Sequence, residues 1–430
     1  MTIKERAQRA KQSSILLAAA NTELKNKALR AIAEALRGKT DTIIAANNRD
    51  LELAQAENLA PPLLKRLAFD RSKISGAIAG IESLLTLPDP VGETLCATEL
   101  DQGLELYKVS CPIGVIGVIF ESRPDALVQI SCLCLKSGNS ALLKGGSEAL
   151  HTNRMLADII ADATRQNGIP EGWIQLLETR ADVGEMLALD QSIDLIIPRG
   201  SNEFVQYIMN NSSIPVLGHA DGICHVYIDD EADSAMAVRV TVDSKTQYVA
   251  VCNAAETLLI HNSIAPQVLP PLAAALAERG VELRGCSRTA AIIKVKPATE
   301  KDWKTEYLDA ILSIRIVDTM DEAIDHINTC GSGHTDAIIT TNTGHARRFM
   351  SLVDSGNVFW NCSTRFSDGF RYGLGAEVGI STNKIHARGP VGLEGLLIYK
   401  WKLIGSGQTV AEYGSTKKFT HRRLNNSCPV

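Results

Sequence analysis

No glycine pattern of the GxGxxG type follows a strand-like run in this 430-residue chain, so the usual dinucleotide-binding fingerprint is absent. No cysteine pair has CxxC spacing, and no cysteine has histidine partners at ligand spacing. No metal is therefore expected. The ten cysteines, at 96, 111, 132, 134, 224, 252, 286, 330, 362 and 428, are scattered, which gives no disulfide framework. They read as reduced, mostly buried small apolar residues, and a cytoplasmic location fits. No apolar run reaches the roughly 18 residues of a membrane span. A net charge of −5 leaves no basic footprint for nucleic acid. The start, MTIKERAQRAKQSS, lacks the apolar core of a secretory signal. Internal repeats and low-complexity tracts are also missing. What remains is an apolar fraction of 45% and a charged fraction of 22%, ordinary for a globular protein, over a length that accommodates two or three domains.

Residues 1 to 75 read as helices. Leu24, Ala28, Leu29, Ile32 and Leu36 recur at helical spacing, and Gly38 stands where a helix stops. From about residue 98 the pattern changes to strands, LELYKVS and IGVIGVIF, and then alternates. Helix 125–137 leads to strand 140–146, helix 148–166 to strand 173–178, and helix 183–189 to strand 192–200. Such alternation predicts an α/β fold with βαβ units and a parallel, doubly wound sheet. A second α/β block begins near 225 and runs through CHVYID, AAETLLIH, helix 265–279, VELRGC, AAIIKV, ILSIRIVD, helix 321–329 and AIITT. A final strand pair is expected at 396–405.

Between that block and the last strands lies Val358 to Leu396, rich in glycine and almost without amphipathic period. Glycines let a backbone approach a ligand closely, and Arg365, Arg371 and Arg388 carry donor forks suited to carboxylate or phosphate. Long loops in compact proteins are usually functional. The stretch points to a small anionic substrate. Elsewhere Lys144 ends a strand, and Gly200 and Ser201 open a helix whose free N–H groups suit phosphate, although an ordinary turn explains them equally from spacing. Cys252, in TQYVAVCNAAETLLIH, reads as lying between a strand and a helix start, where a dipole stabilises a thiolate. Cys362, in WNCSTR, competes for the same part. Spacing does not separate the two, and Asp243 and His219 are not assigned as a base.

Four segments together resemble the γ-glutamyl phosphate reductases (glutamate-5-semialdehyde dehydrogenases) of the aldehyde dehydrogenase superfamily: VIFESRPDAL with LKSGNSALLKGGSEA, IPRGSNEFVQYI, TQYVAVCNAAETLLIH, and STRFSDGFRYGLGAEVGISTNKIHARGPVGLEGL. The last is the most specific and is also similar to the reductase half of bifunctional pyrroline-5-carboxylate synthases. Since the chain carries its own Met start, a stand-alone reductase is the simpler expectation. The resemblance implies that Cys252 is the nucleophile and Cys362 incidental. It also implies that Lys144 contacts a ribose, that Gly200 and Ser201 hold a pyrophosphate, and that Glu306 lies near the nicotinamide ribose.

The same resemblance implies an aldehyde dehydrogenase-like fold. A Rossmann-type cofactor-binding domain would occupy 1–224, with an arm strand near 100–112, and a catalytic domain 225–372. Residues 373–430 would return to the cofactor domain and end in an oligomerisation arm, making a homodimer or tetramer. The expected activity is NADPH-dependent reduction of γ-glutamyl phosphate to glutamate 5-semialdehyde in proline biosynthesis, through a cysteine thioester. Arg123 and Arg365 would grip phosphate or α-carboxylate, and Asp368 the α-ammonium. Arg180, after a strand, is where a 2′-phosphate of NADP would lie. Hydrolytic relatives carry a general-base Glu where this chain reads VLGHADGICHVY, and an acyl phosphate needs no activated water. The rivals are a dehydrogenase acting on free aldehydes or acyl-CoA, a non-catalytic binding protein, and an enzyme that docks glutamate 5-kinase.

Overall fold

The computed structural model describes residues 1–178, 181–218, 221–414 and 417–430. Helices fill the first stretch, as the apolar spacing requires. Ile3–Leu17 starts with a capping box in which Thr2 accepts from the Glu5 amide and Glu5 from the Thr2 amide. In Thr22–Gly38 the predicted stripe of Ala28, Leu29, Ile32 and Leu36 is buried. No helix among the described residues is long and apolar enough to cross a membrane.

A four-stranded parallel sheet follows, in spatial order Ile174–Leu177, Ser140–Lys144, Val115–Phe120, Leu195–Arg199. Its strands are short runs of buried Val, Ile and Leu, the pattern of a sheet covered on both faces. Its core joins Leu29 and Ile32 of the early helices to Ile116, Val118 and Leu143. Val378, Val391 and Leu396 complete it as the chain returns.

The second sheet has seven parallel strands, in order Lys296–Pro297, Glu282–Gly285, Ile311–Val317, Ala255–His261, Cys224–Ile228, Thr335–Ile339, Asn357–Trp360. Val226, Leu258, Ile260 and Ile314 pack on one face. Tyr227, Leu259, Ile338 and Phe349 pack on the other. The stretch AAIIKV, expected as a strand, is instead the end of a short helix, Ser287–Ala290, and the turn after it. Thr289 Oγ1 donates to the Ile314 carbonyl at 3.2 Å, which ties that turn to the sheet from outside, and only Lys296–Pro297 pairs.

The third sheet is an antiparallel arm, in order Leu397–Ile404, Leu104–Pro112, Thr94–Asp101, Arg422–Leu424. Residues 396–405 were expected as a strand pair. They form one uninterrupted strand, because LIYKWKLI contains no residue that turns the chain. Its partner is Leu104–Pro112.

Candidate active site

Parallel sheets bind ligands at the carboxyl ends of their strands, and the predicted site residues gather there. Strand Ser140–Lys144 delivers Lys144 and then Gly145 and Gly146 into a cleft of about 570 Å³, which Glu121, Ser147, Phe204 and Tyr207 also line. Lys144 is buried, with Nζ donating to the Gly145 carbonyl. Strand Leu195–Arg199 runs through Gly200 to Ser201, which caps helix Asn202–Asn211 by accepting from the Phe204 amide. A Cβ at Gly145 would lie 2.2 Å from Asn153 Nδ2, and one at Gly200 would lie 2.6 Å from Glu121 Oε2. Both glycines thus keep backbone close to the cleft. The Ser201 amide donates to Glu121 Oε2 at 3.1 Å, so a carboxylate already sits at the helix start, where the positive end of the dipole favours an anion. A lysine, close-approaching backbone and a helix N-terminus beside one cleft fit a dinucleotide. Arg180 lies outside the described residues.

Cys252 lies in the turn between helix Ser234–Thr246 and strand Ala255–His261. The expected order, strand then helix, is reversed. The run YVAV forms turn and bend rather than strand, and it follows the end of helix Ser234–Thr246 instead of preceding a helix. Neighbours hold the turn instead. Cys224 Sγ donates to the Cys252 carbonyl at 3.1 Å. Asn253 Nδ2 donates to the Ser367 carbonyl at 2.7 Å, and Thr364 Oγ1 donates to the Asn253 carbonyl at 2.7 Å. A Cβ on Gly222 would lie 2.4 Å from the Cys252 Cα. Burial, followed by the Glu306 carboxylate, pushes the Cys252 thiol up to about 12, and Arg199 opposes that rise.

Glu306 accepts from Asn202 Nδ2 at 2.7 Å, which links the helix after the first sheet to the second α/β block. Burial raises its pKa. Arg365 is buried, donates through Nε to Gln247 Oε1 at 2.9 Å, and acts on Cys252 and Asp243 through its charge. Asp243 acts on Arg365 through charge alone, after Arg371 and Asp368, and His219 lies outside the described residues. Arg123 stands 3.7 Å from Asp125 in a loose, exposed pair. Asp368 accepts from the amides of Phe370 and Arg371 at 3.0 and 3.1 Å and pairs with the Arg371 guanidinium at 3.3 Å. Arg388 pairs with Asp354 at 2.9 Å and donates to the Thr382 carbonyl. Arg371 and Arg388 therefore pin the glycine-rich loop rather than present free forks. Cys362 is half-buried, its thiol raised by burial, and its charge acts on Tyr372.

Two site residues escaped the sequence reading. Glu377 accepts from the Gly369 amide at 2.8 Å and acts on Cys252 and Arg199. Arg199 ends the strand before Gly200 and donates through Nη1 to the Val378 carbonyl at 3.1 Å. Its place at a strand's carboxyl end was a usable signal.

The model of the aldehyde dehydrogenase family matches residues 2–284 and 279–375. A γ-glutamyl phosphate reductase of Acetivibrio thermocellus is 68% identical over 100% of both chains. One of Pelotomaculum thermopropionicum is 67% identical over 99% of this chain and 98% of its own. The crystal structure of γ-glutamyl phosphate reductase from Thermotoga maritima, 41% identical, superimposes with a TM-score of 0.93 over 95% of this chain and 99% of its own.

Proposed function

The chain belongs to the aldehyde dehydrogenase family, among its γ-glutamyl phosphate reductases, and from that premise we propose that it reduces γ-glutamyl phosphate to glutamate 5-semialdehyde with NADPH, a step of proline biosynthesis, through a thioester on Cys252. The observation that carries the reading is the enclosure of the Cys252 turn from two sides: Gly222 and Cys224 pack against Cys252, and the glycine-rich loop closes on it through Thr364 and Ser367, which bond Asn253. On this reading residues 1–224 carry the cofactor, 225–372 the nucleophile, and 373–430 return to the first half and end in the arm. The enzyme works in the cytoplasm as a homo-oligomer joined through the arm.

Cys252 loses its proton before attack, since the thiolate is the nucleophile. Its sulfur bonds to the acyl carbon as the bond from that carbon to the phosphate oxygen breaks. On this reading the Cys252 amide meets the developing oxyanion. Lys144, Gly200, Ser201 and Glu306 hold the cofactor, with Glu306 oriented by Asn202. When bound there, a nicotinamide supplies the hydride that reduces the thioester. Arg365 and Arg123 meet the substrate's anionic groups and Asp368 its ammonium, which requires Asp368 to exchange its present turn contacts. The sequence offers no glutamate to activate water in 216–227, in keeping with phosphate rather than water as the partner of the acyl group.

Run backwards, oxidation of glutamate 5-semialdehyde by NADP⁺ is expected to require phosphate or arsenate. Turnover without either would support the hydrolytic alternative. Cys252→Ala abolishes turnover on this reading, whereas Cys362→Ala keeps it; the opposite pattern moves the nucleophile to Cys362. Docking with glutamate 5-kinase, which would supply an unstable acyl phosphate directly, is tested by co-purification.

A further inference from the structure

The turn that carries Cys252 has little backbone bonding of its own. Among the described residues, only one amide from 248 to 254 finds a backbone partner, Ala254 to the Val251 carbonyl at 3.1 Å. The next two carbonyls, those of Cys252 and Asn253, accept instead from side chains on two other segments. Cys224 Sγ donates to the first at 3.1 Å, and Thr364 Oγ1 to the second at 2.7 Å. Both donors are fully buried. A peptide unit is planar, so holding two consecutive carbonyl oxygens fixes two consecutive planes, one of them attached directly to the Cys252 Cα.

Each donor is itself anchored. Cys224 begins strand Cys224–Ile228, and the preceding Ile223 amide donates to Ser332 Oγ at 2.9 Å. Burial raises the Cys224 pKa well above the ordinary thiol value, so the group keeps its proton and remains a donor. On the same side, a Cβ at Gly222 would lie 2.2 Å from the Cys252 oxygen and 2.4 Å from its Cα, which leaves the turn no room to move that way. Thr364 is tied to the helix that enters the turn, its amide donating to Ser244 Oγ at 3.2 Å. The loop is fastened a second time where Asn253 Nδ2 donates to the Ser367 carbonyl at 2.7 Å. Arg365 lies between these two fastenings and donates to Gln247 Oε1 at 2.9 Å, on the far side of the turn.

We propose that Cys224 and Thr364 are positioning residues for the nucleophile: by holding the carbonyls of Cys252 and Asn253 they set the sulfur in line with the acyl carbon of a substrate gripped by Arg365. This rests on the reading of Cys252 and Arg365 given above. Neither side chain touches the reacting atoms. Their contribution is alignment, and a misplacement of about 1 Å can cost about a hundredfold in rate.

The test is steady-state oxidation of glutamate 5-semialdehyde by NADP⁺ with phosphate present. Thr364→Val exchanges the hydroxyl for a methyl of similar size, and it is expected to lower kcat about tenfold or more while the KM for NADP⁺ stays within about twofold. Thr364→Ser, which keeps the donor, restores most of the loss. Cys224→Ala follows Thr364→Val, and Cys224→Ser recovers part of its activity, because the hydroxyl reaches less far than the thiol. Alkylation of Cys252 by iodoacetamide is expected to stay within about threefold of wild type in all four variants, since that reagent needs an accessible thiolate but no alignment with a bound substrate. An unchanged kcat in both Thr364→Val and Cys224→Ala overturns the proposal. So does a serine variant as slow as its donor-free counterpart, or an alkylation rate that falls in step with kcat. The two positions are read independently, so a variant that does not fold at one leaves the pair at the other to decide. Turnover that survives Cys252→Ala overturns the thioester reading itself.

Discussion

At the scale of single residues, the chemistry turns on a thiol that its surroundings keep protonated. Burial and Glu306 hold Cys252 up to about 12, so the thiolate fraction is small at neutral pH and grows tenfold with each pH unit below that value. Inactivation by iodoacetamide is therefore expected to keep accelerating from pH 7 through pH 9.5 without a plateau. Glu306→Gln removes a negative neighbour, lowers the thiol pKa and speeds the reaction at every pH in that range. A plateau near pH 8 in the wild type would contradict the buried, electronegative environment. Much of this was illegible in the sequence. The residue types around Cys252 suggested a dipole-activated cysteine, but the turn comes after a helix instead of before one. Cys252 stood out from Cys362 only through family resemblance. Arg199 escaped because its setting depends on Val378 and Gly379, which are remote in sequence and reach it only when the chain returns to the first sheet.

At the scale of elements, helix Ser234–Thr246 and strand Ala255–His261 are joined across the turn that carries Cys252 by a fully buried pair, Lys245 Nζ to Glu256 Oε2 at 2.5 Å. Burial lowers the Lys245 pKa and raises that of Glu256 to about 7. Removing one partner leaves a buried charge alone. Lys245→Met should cost about 3–5 kcal/mol, and the double variant Lys245→Met, Glu256→Gln should recover most of it. Urea denaturation measures both. A raised carboxyl pKa means that the folded state binds more protons than the unfolded one, so the cost of Lys245→Met is expected to grow from pH 6 to pH 8. Equal losses in the single and double variants would show that the pair is not coupled. Most elements were legible from period alone. The βαβ alternation of 115–199 appears as read, because buried parallel strands are plain apolar runs. AAIIKV misled for the same reason: an apolar run of that length fits a strand or the end of a short helix equally, and contact with Ile314 decides.

At the scale of the whole molecule, the arm carries a half-exposed apolar face, with the Lys108 ammonium 3.6 Å from the centre of the Tyr399 ring. Tyr399, Trp401 and Leu403 share one side of strand Leu397–Ile404 by the two-residue period, and each is about half exposed. Trp401→Glu combined with Leu403→Glu is expected to shift sedimentation velocity toward the single chain, with the far-UV circular dichroism spectrum unchanged. An unaltered sedimentation coefficient would place self-association elsewhere. The strand character of LELYKVS and of 396–405 was visible in sequence, but their mutual pairing was not, since nothing local specifies a partner so distant along the chain.

That pairing also fixes when the arm is finished. Strand Leu104–Pro112 is flanked on one side by Thr94–Asp101, which the ribosome makes just before it, and on the other by Leu397–Ile404. At roughly 5–20 residues per second, the roughly 290 residues between them take roughly 15–60 s to synthesise. Throughout that interval the nascent chain carries a bare strand edge, and its first core waits for Val378, Val391 and Leu396. The growing polypeptide is thus most open to edge-to-edge aggregation before the returning segment is made.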